Sequence, residues 1–149
     1  MANKQHLHLI KEGVDIWNEW RKSNPRILPK LDKANLSGVD LCGANLTEAS
    51  LNNADLSKAN LTGANLCKAN LSHANLSGAN LTRVNLIRAN LDGANLLEVE
   101  LSEADLIGAF LEGANFNGAK LNKIDLNGVY LEGESLHEAI KKATLRGPP

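Results

Sequence analysis

The chain has 149 residues, a formal net charge of −1 and only 3% aromatic residues. That length gives one domain, the near-neutral balance argues against both a general polyanion binder and a strongly acidic protein, and so few rings are thin filling for an ordinary globular core. No apolar run approaches the ~20 residues that a membrane helix needs, and no basic segment leads into a short apolar one as in a secretion signal, so a cytoplasmic protein is expected, with no membrane partner.

Residues 3 to 23 follow a helical period. Projected at about 100° per residue, Leu7, Leu9, Ile10, Val14, Ile16, Trp17 and Trp20 share one half of a helix, and Lys11, Glu12, Asp15, Asn18, Glu19, Arg21 and Lys22 share the other. The spacing predicts one amphipathic α-helix, with Asn3 as its N-cap and Gly13 on the apolar side, where it would permit close approach. Pro25 and Pro29 stop the helix, and residues 1–30 read as a capping helix with its linker.

From Leu31 to Leu131 every fifth residue is Leu, except Phe116. From Leu36 onward Ala, or at a few sites Val or Ile, lies two places before each of these, and the residue between is most often Asn or Asp. A period of five fits neither standard element. On a helix each step of five turns by about 140°, so the leucines would spiral around the cylinder; on a flat strand five is odd, so they would alternate sides. The pattern closes if each pentapeptide is a short extended piece followed by a corner. Ser37-Gly38, Ser77-Gly78 and Asn117-Gly118 supply residues that tolerate turn geometry. Repeated corners coil the chain into a prism with Leu36, Leu56, Leu76, Leu96 and Phe116 among its inward residues.

The run from Ala69 to Thr82, Ala-Asn-Leu-Ser-His-Ala-Asn-Leu-Ser-Gly-Ala-Asn-Leu-Thr, resembles the pentapeptide repeat family, whose motif is A(D/N)LXX. The resemblance covers residues 31–131. It implies an all-β solenoid, a right-handed quadrilateral β-helix with four pentapeptides per coil. About five coils at roughly 4.8 Å each would stand about 25 Å tall. Charge pairing alone does not separate a register of 20 from one of 15, because Arg83 can face Glu103 in the first and Glu98 in the second. Outward apolar residues favour 20, which brings Phe110 to Tyr130 and Ile87 to Ile107.

The repeat decays after residue 133. In 134–149, Leu136, Ala139, Ile140 and Ala143 return to helical spacing, which predicts a short C-terminal helix closing the last coil. A monomer is expected, and the resemblance adds the alternative of a homodimer through that end. At the other end Leu7, Ile10, Val14, Trp17 and Trp20 are expected to pack over the first coil, since a solenoid needs its terminal layers covered.

No enzymatic or metal constellation assembles. His6 and His8 show no carboxylate or thiol partner at helical spacing, and no Ser-His-Asp or Cys-His set can be built, so neither a catalytic site, a metal nor a cofactor is expected. Cys42 and Cys67 fall on adjacent sides one layer apart, too far for a disulfide, and are expected to be free thiols. The favoured reading is a non-enzymatic interaction or scaffold protein with an unknown protein partner. Ile87, Ile107, Phe110 and Tyr130 flank a single corner and form the candidate contact patch. The alternative implied by the resemblance is an acidic mimic of duplex DNA that binds DNA gyrase. It sits poorly with the charges: residues 51–90 carry Lys58, Lys68, Arg83 and Arg88 against one acidic residue, while the acidic excess is confined to 91–135. No nucleic-acid partner is expected.

Overall fold

The computed structural model describes residues 1–131 together with residues 140 and 141. It begins with two helices, α1 (Lys4–Glu12) and α2 (Val14–Ser23). Asn3 caps α1, its Oδ1 accepting the His6 N–H at 3.1 Å. The single helix expected over 3–23 is therefore broken, and Gly13 breaks it with φ 134° and ψ 158°, a conformation essentially reserved for glycine. Close approach is not its role, because a methyl group there would meet nothing within 4 Å. The break also reassigns faces. Ile16, expected on the apolar half, is 47% exposed, and Arg21, expected on the polar half, is 7% exposed.

From Lys30 onward parallel bridges join each outward residue to the one twenty positions later, from Lys30 with Ser50 to Phe110 with Tyr130. Twenty residues are four pentapeptides, so each coil has four sides. Backbone hydrogen bonds tie the coils together: the Leu36 N–H donates to Asp55 O at 2.7 Å, and the Asp55 N–H donates to Ala34 O at 2.9 Å.

Each side ends in a tight corner. At the first, the Ala34 N–H donates to Leu31 O at 3.0 Å and Lys33 adopts φ 59°. A left-handed residue at the third place of the turn marks a type II turn. The same feature recurs at every fifth residue through Gly128, with φ between 55° and 72°. Glycine takes it without strain, but Lys, Arg, Glu and His also occupy it, each at a cost of roughly 1–3 kcal/mol. At most corners the residue before the Leu offsets part of that cost. Asn75 Oδ1 accepts the Ser77 N–H at 3.1 Å, and Asp125 Oδ1 accepts the Asn127 N–H at 3.0 Å, so a short side-chain oxygen pins the corner that follows. That is why Asn and Asp dominate this position. Glu100 reaches the Ser102 N–H in the same way at 3.1 Å. Phe110 has no such oxygen, and Asp92 of the coil beneath accepts the Glu112 N–H instead, at 2.9 Å.

Leu36, Leu56, Leu76 and Leu96 are completely or almost completely buried, and Phe116 is buried too. Each inward Leu contributes roughly 1.5–3 kcal/mol of transfer free energy before chain entropy is subtracted. Burial slackens at the far end, where Leu121, Ile124, Leu126, Val129 and Leu131 are only partly covered. The expected C-terminal helix falls largely outside the described residues. Within it, residues 140 and 141 are helical. Ile140 lines a narrow apolar cavity at the end of the axis with Leu106, Leu111, Phe116, Leu121, Ile124, Leu126 and Leu131.

Candidate protein-contact surfaces

The first candidate surface is the N-terminal end, where α2 supplies by side chain what a preceding coil would supply by backbone. Inside the stack, Asn65 O accepts the Leu46 N–H, and Cys67 O accepts the Glu48 N–H. One coil earlier the equivalent carbonyls have no coil beneath them. Trp17 Nε1–H donates to Asn45 O at 2.9 Å, and Arg21 Nη2 donates to Thr47 O at 3.1 Å. The Asn45 N–H donates to Asn18 Oδ1 at 2.8 Å, replacing the backbone carbonyl that Asn65 finds in Ala44. An open sheet edge is thereby satisfied group by group.

Of the residues expected to pack over the coil, Trp17 and Ile10 are buried, and Leu7, Val14 and Trp20 are half-buried against the core. His6, Asn18 and Arg21 escaped the sequence reading. The available signal was position: residues 17, 18 and 21 make one helical stripe, and polar groups beside a tryptophan there can face a sheet edge.

Electrostatics at this end are set by burial. Arg21 Nη1 donates to Ile27 O at 2.8 Å, while its buried Nε finds no hydrogen-bond partner among the described residues. Desolvation pulls the Arg21 pKa below its ordinary value, opposed by the carboxylate of Glu48. His6 is also held below its ordinary value, first by burial and then by the positive charges of Lys30 and Arg21. Its ring lies against Trp20, centroids 4.8 Å apart, and its Nδ1 accepts the Lys30 N–H at 2.9 Å.

The second candidate surface is on the last coils. Phe110 and Tyr130 are 40% and 60% exposed and stack with centroids 4.7 Å apart at an interplanar angle of 10°. Ile107, also exposed, joins them around an open groove whose other walls include Arg88 and Asn127. Gly108 and Gly128 occupy its corner, leaving backbone where Glu48, Lys68 and Arg88 of the same column carry side chains. Ile87 stands one coil earlier, is half-buried, and is not among the groove's walls.

Elsewhere the surface offers little chemistry. Glu48 with Lys68 at 3.9 Å and Glu100 with Lys120 at 3.8 Å are exposed ion pairs of small energetic weight. His8 does have a carboxylate at helical spacing, Glu12 at 3.6 Å, which corrects the reading of that histidine. Among the described residues no group of His, Cys, Asp or Glu is arranged to hold a metal ion. Cys42 is exposed, Cys67 is half-buried, and both are free thiols. No described helix is long and apolar enough to cross a membrane.

Comparison with known proteins gives a consistent likeness. The family model described as pentapeptide repeats (8 copies) matches residues 30–63, 59–96 and 94–133. Among solved structures, the chain is 38% identical to HetL, a pentapeptide repeat protein involved in heterocyst differentiation regulation in the cyanobacterium Nostoc sp. strain PCC 7120, over 70% of this chain and 56% of HetL, with a TM-score of 0.47. It is 30% identical to a pentapeptide repeat protein of the Arabidopsis thaliana thylakoid lumen, over 64% of this chain and 63% of that one, TM-score 0.41. It is also 30% identical to Rfr23 of the cyanobacterium Cyanothece 51142, over 78% of this chain and 94% of that one, TM-score 0.39. The chain thus spans little more than half the length of HetL. A search of the curated proteins gives no match.

Proposed function

Since the chain belongs to the pentapeptide repeat family, we propose that it works without catalysis, as a rigid scaffold that engages a protein partner through its last two coils. The observation that carries this reading is the exposed stack of Phe110 on Tyr130, in a column whose earlier members are Lys30, Ser50, Asn70 and Asn90. An aromatic pair displayed on a rigid face is the kind of anchor that dominates interface energetics. The family supplies the right-handed sense of the coil. A cytoplasmic setting and a monomeric resting state belong to the same proposal. The test is a variant carrying Ile107→Ser and Phe110→Ser, compared with wild type in partner capture and in light scattering. Loss of capture, with the fold and the monomeric state intact, is the expected result; unchanged capture, or wild-type protein that scatters as an oligomer, sinks the proposal.

The gyrase alternative has less support. A mimic of duplex DNA needs one acidic face along the whole prism, and here Lys58, Lys68, Arg83 and Arg88 stand at the corners of the middle coils. A supercoiling assay with micromolar protein separates the two readings, and inhibition would favour the mimic.

A further inference from the structure

We propose that α1 is a pH-sensitive latch on the first coil, released when His6 gains a proton. Ile10 anchors α1 in the core, and two hydrogen bonds to one residue fasten its first turn to the coil. The Asn3 N–H donates to Lys30 O at 2.8 Å, and the Lys30 N–H donates to His6 Nδ1 at 2.9 Å. His6 Nδ1 therefore carries no proton in the closed state, and the neutral ring keeps its single N–H on Nε2. A second proton can bind only at Nδ1. It would face the Lys30 N–H donor to donor, abolishing one of the two bonds.

The surroundings make that proton costly for the closed state. His6 is 5% exposed, and its ring lies against Trp20 of α2. The charges acting on it are Lys30 from the linker side and Arg21 from α2, both cationic, with the Glu48 carboxylate acting in turn on Arg21. Burial and like charge both favour the neutral ring, so the closed latch binds the proton more weakly than the open one. The sign follows from linkage: closure is strongest above the ordinary histidine range and weakens as pH falls through it toward the lowered pKa of the buried ring. Opening frees the N–H and carbonyl of Lys30, returning an edge position of the first coil to solvent.

The experiment is amide hydrogen exchange by NMR on the full chain, between about pH 7.5 and about pH 5.5, with the His6 ring followed in the same samples. The neighbouring Leu31 N–H, which donates to Ser50 O at 2.8 Å, serves as internal reference for the intrinsic pH dependence of exchange. The expected result is a fall in Lys30 protection relative to Leu31 of up to about tenfold across this window, larger the further the His6 pKa is depressed. In His6→Gln, which keeps an acceptor but cannot titrate, the Lys30-to-Leu31 ratio should stay flat. Lys30 protection that holds steady while His6 titrates would overturn the latch, as would the same fall in His6→Gln. If that variant does not fold, the wild-type ring decides: a His6 pKa at or above about 6.5 rejects the proposal.

Discussion

At the N-terminal end of the prism Leu31, Leu36 and Leu41 are fully buried, whereas at the other end Leu121, Leu126 and Leu131 are only partly so. The inward residue type is the same at both ends. What differs is the layer laid across it. α2 covers the first coil with a buried indole and also meets the backbone groups of residues 45 and 47 with Trp17, Asn18 and Arg21. At the far end Ile140 joins the apolar lining at the end of the axis. A β-helix end presents both apolar surface and unpaired peptide groups, and the N-terminal cap answers both demands.

The comparison can be broken most severely at Trp17. Trp17→Ala removes a buried ring and the donor to Asn45 O together, and a loss of about 3–5 kcal/mol in urea unfolding is expected. A variant of wild-type stability would show that α2 is not the closing layer. A milder test sets Leu76→Ala against Leu126→Ala. The first empties a fully packed site and should cost about 3 kcal/mol, the second a loosely covered one and should cost about 1 kcal/mol, read from the same unfolding curves. Equal losses would mean that both ends are packed alike. The smallest effect belongs to the corner bonds. Asn75→Ala leaves the Ser77 N–H without its side-chain acceptor and should cost about 1 kcal/mol, measured as a shift in thermal midpoint.

Much of this architecture was legible in residue order. Leu and Ala at fixed spacing placed the core, whereas the register of 20 rested mainly on the family resemblance, with Phe110 and Tyr130, which do stack, favouring it. The corner residues were only half legible, because Lys33, Arg83 and Glu103 take the left-handed conformation without the glycine that announces it. The break at Gly13 was hidden, since a helical projection runs through a glycine without registering the backbone that bends there. Asn18 and Arg21 were hidden for another reason. Their partners on the first coil are backbone atoms some 25 residues away or more, and a backbone group has no residue type to recognise. Of the candidate patch, the exposed residues were visible in the sequence, while the groove depends on Gly108 and Gly128 turning the corner side by side.

The bridges that join residues twenty apart hold one further consequence. Loop-closure entropy depends on the length of chain being closed, and here that length is the same for the fifth coil as for the second. Contact order in sequence units stays constant as the prism grows, unlike that of a sandwich whose strands pair across ever longer stretches. Duplicating one twenty-residue segment would add a layer that folds against its neighbour on the same terms as the last. Height can therefore vary among such chains by simple copying, with the end layers left to be solved once.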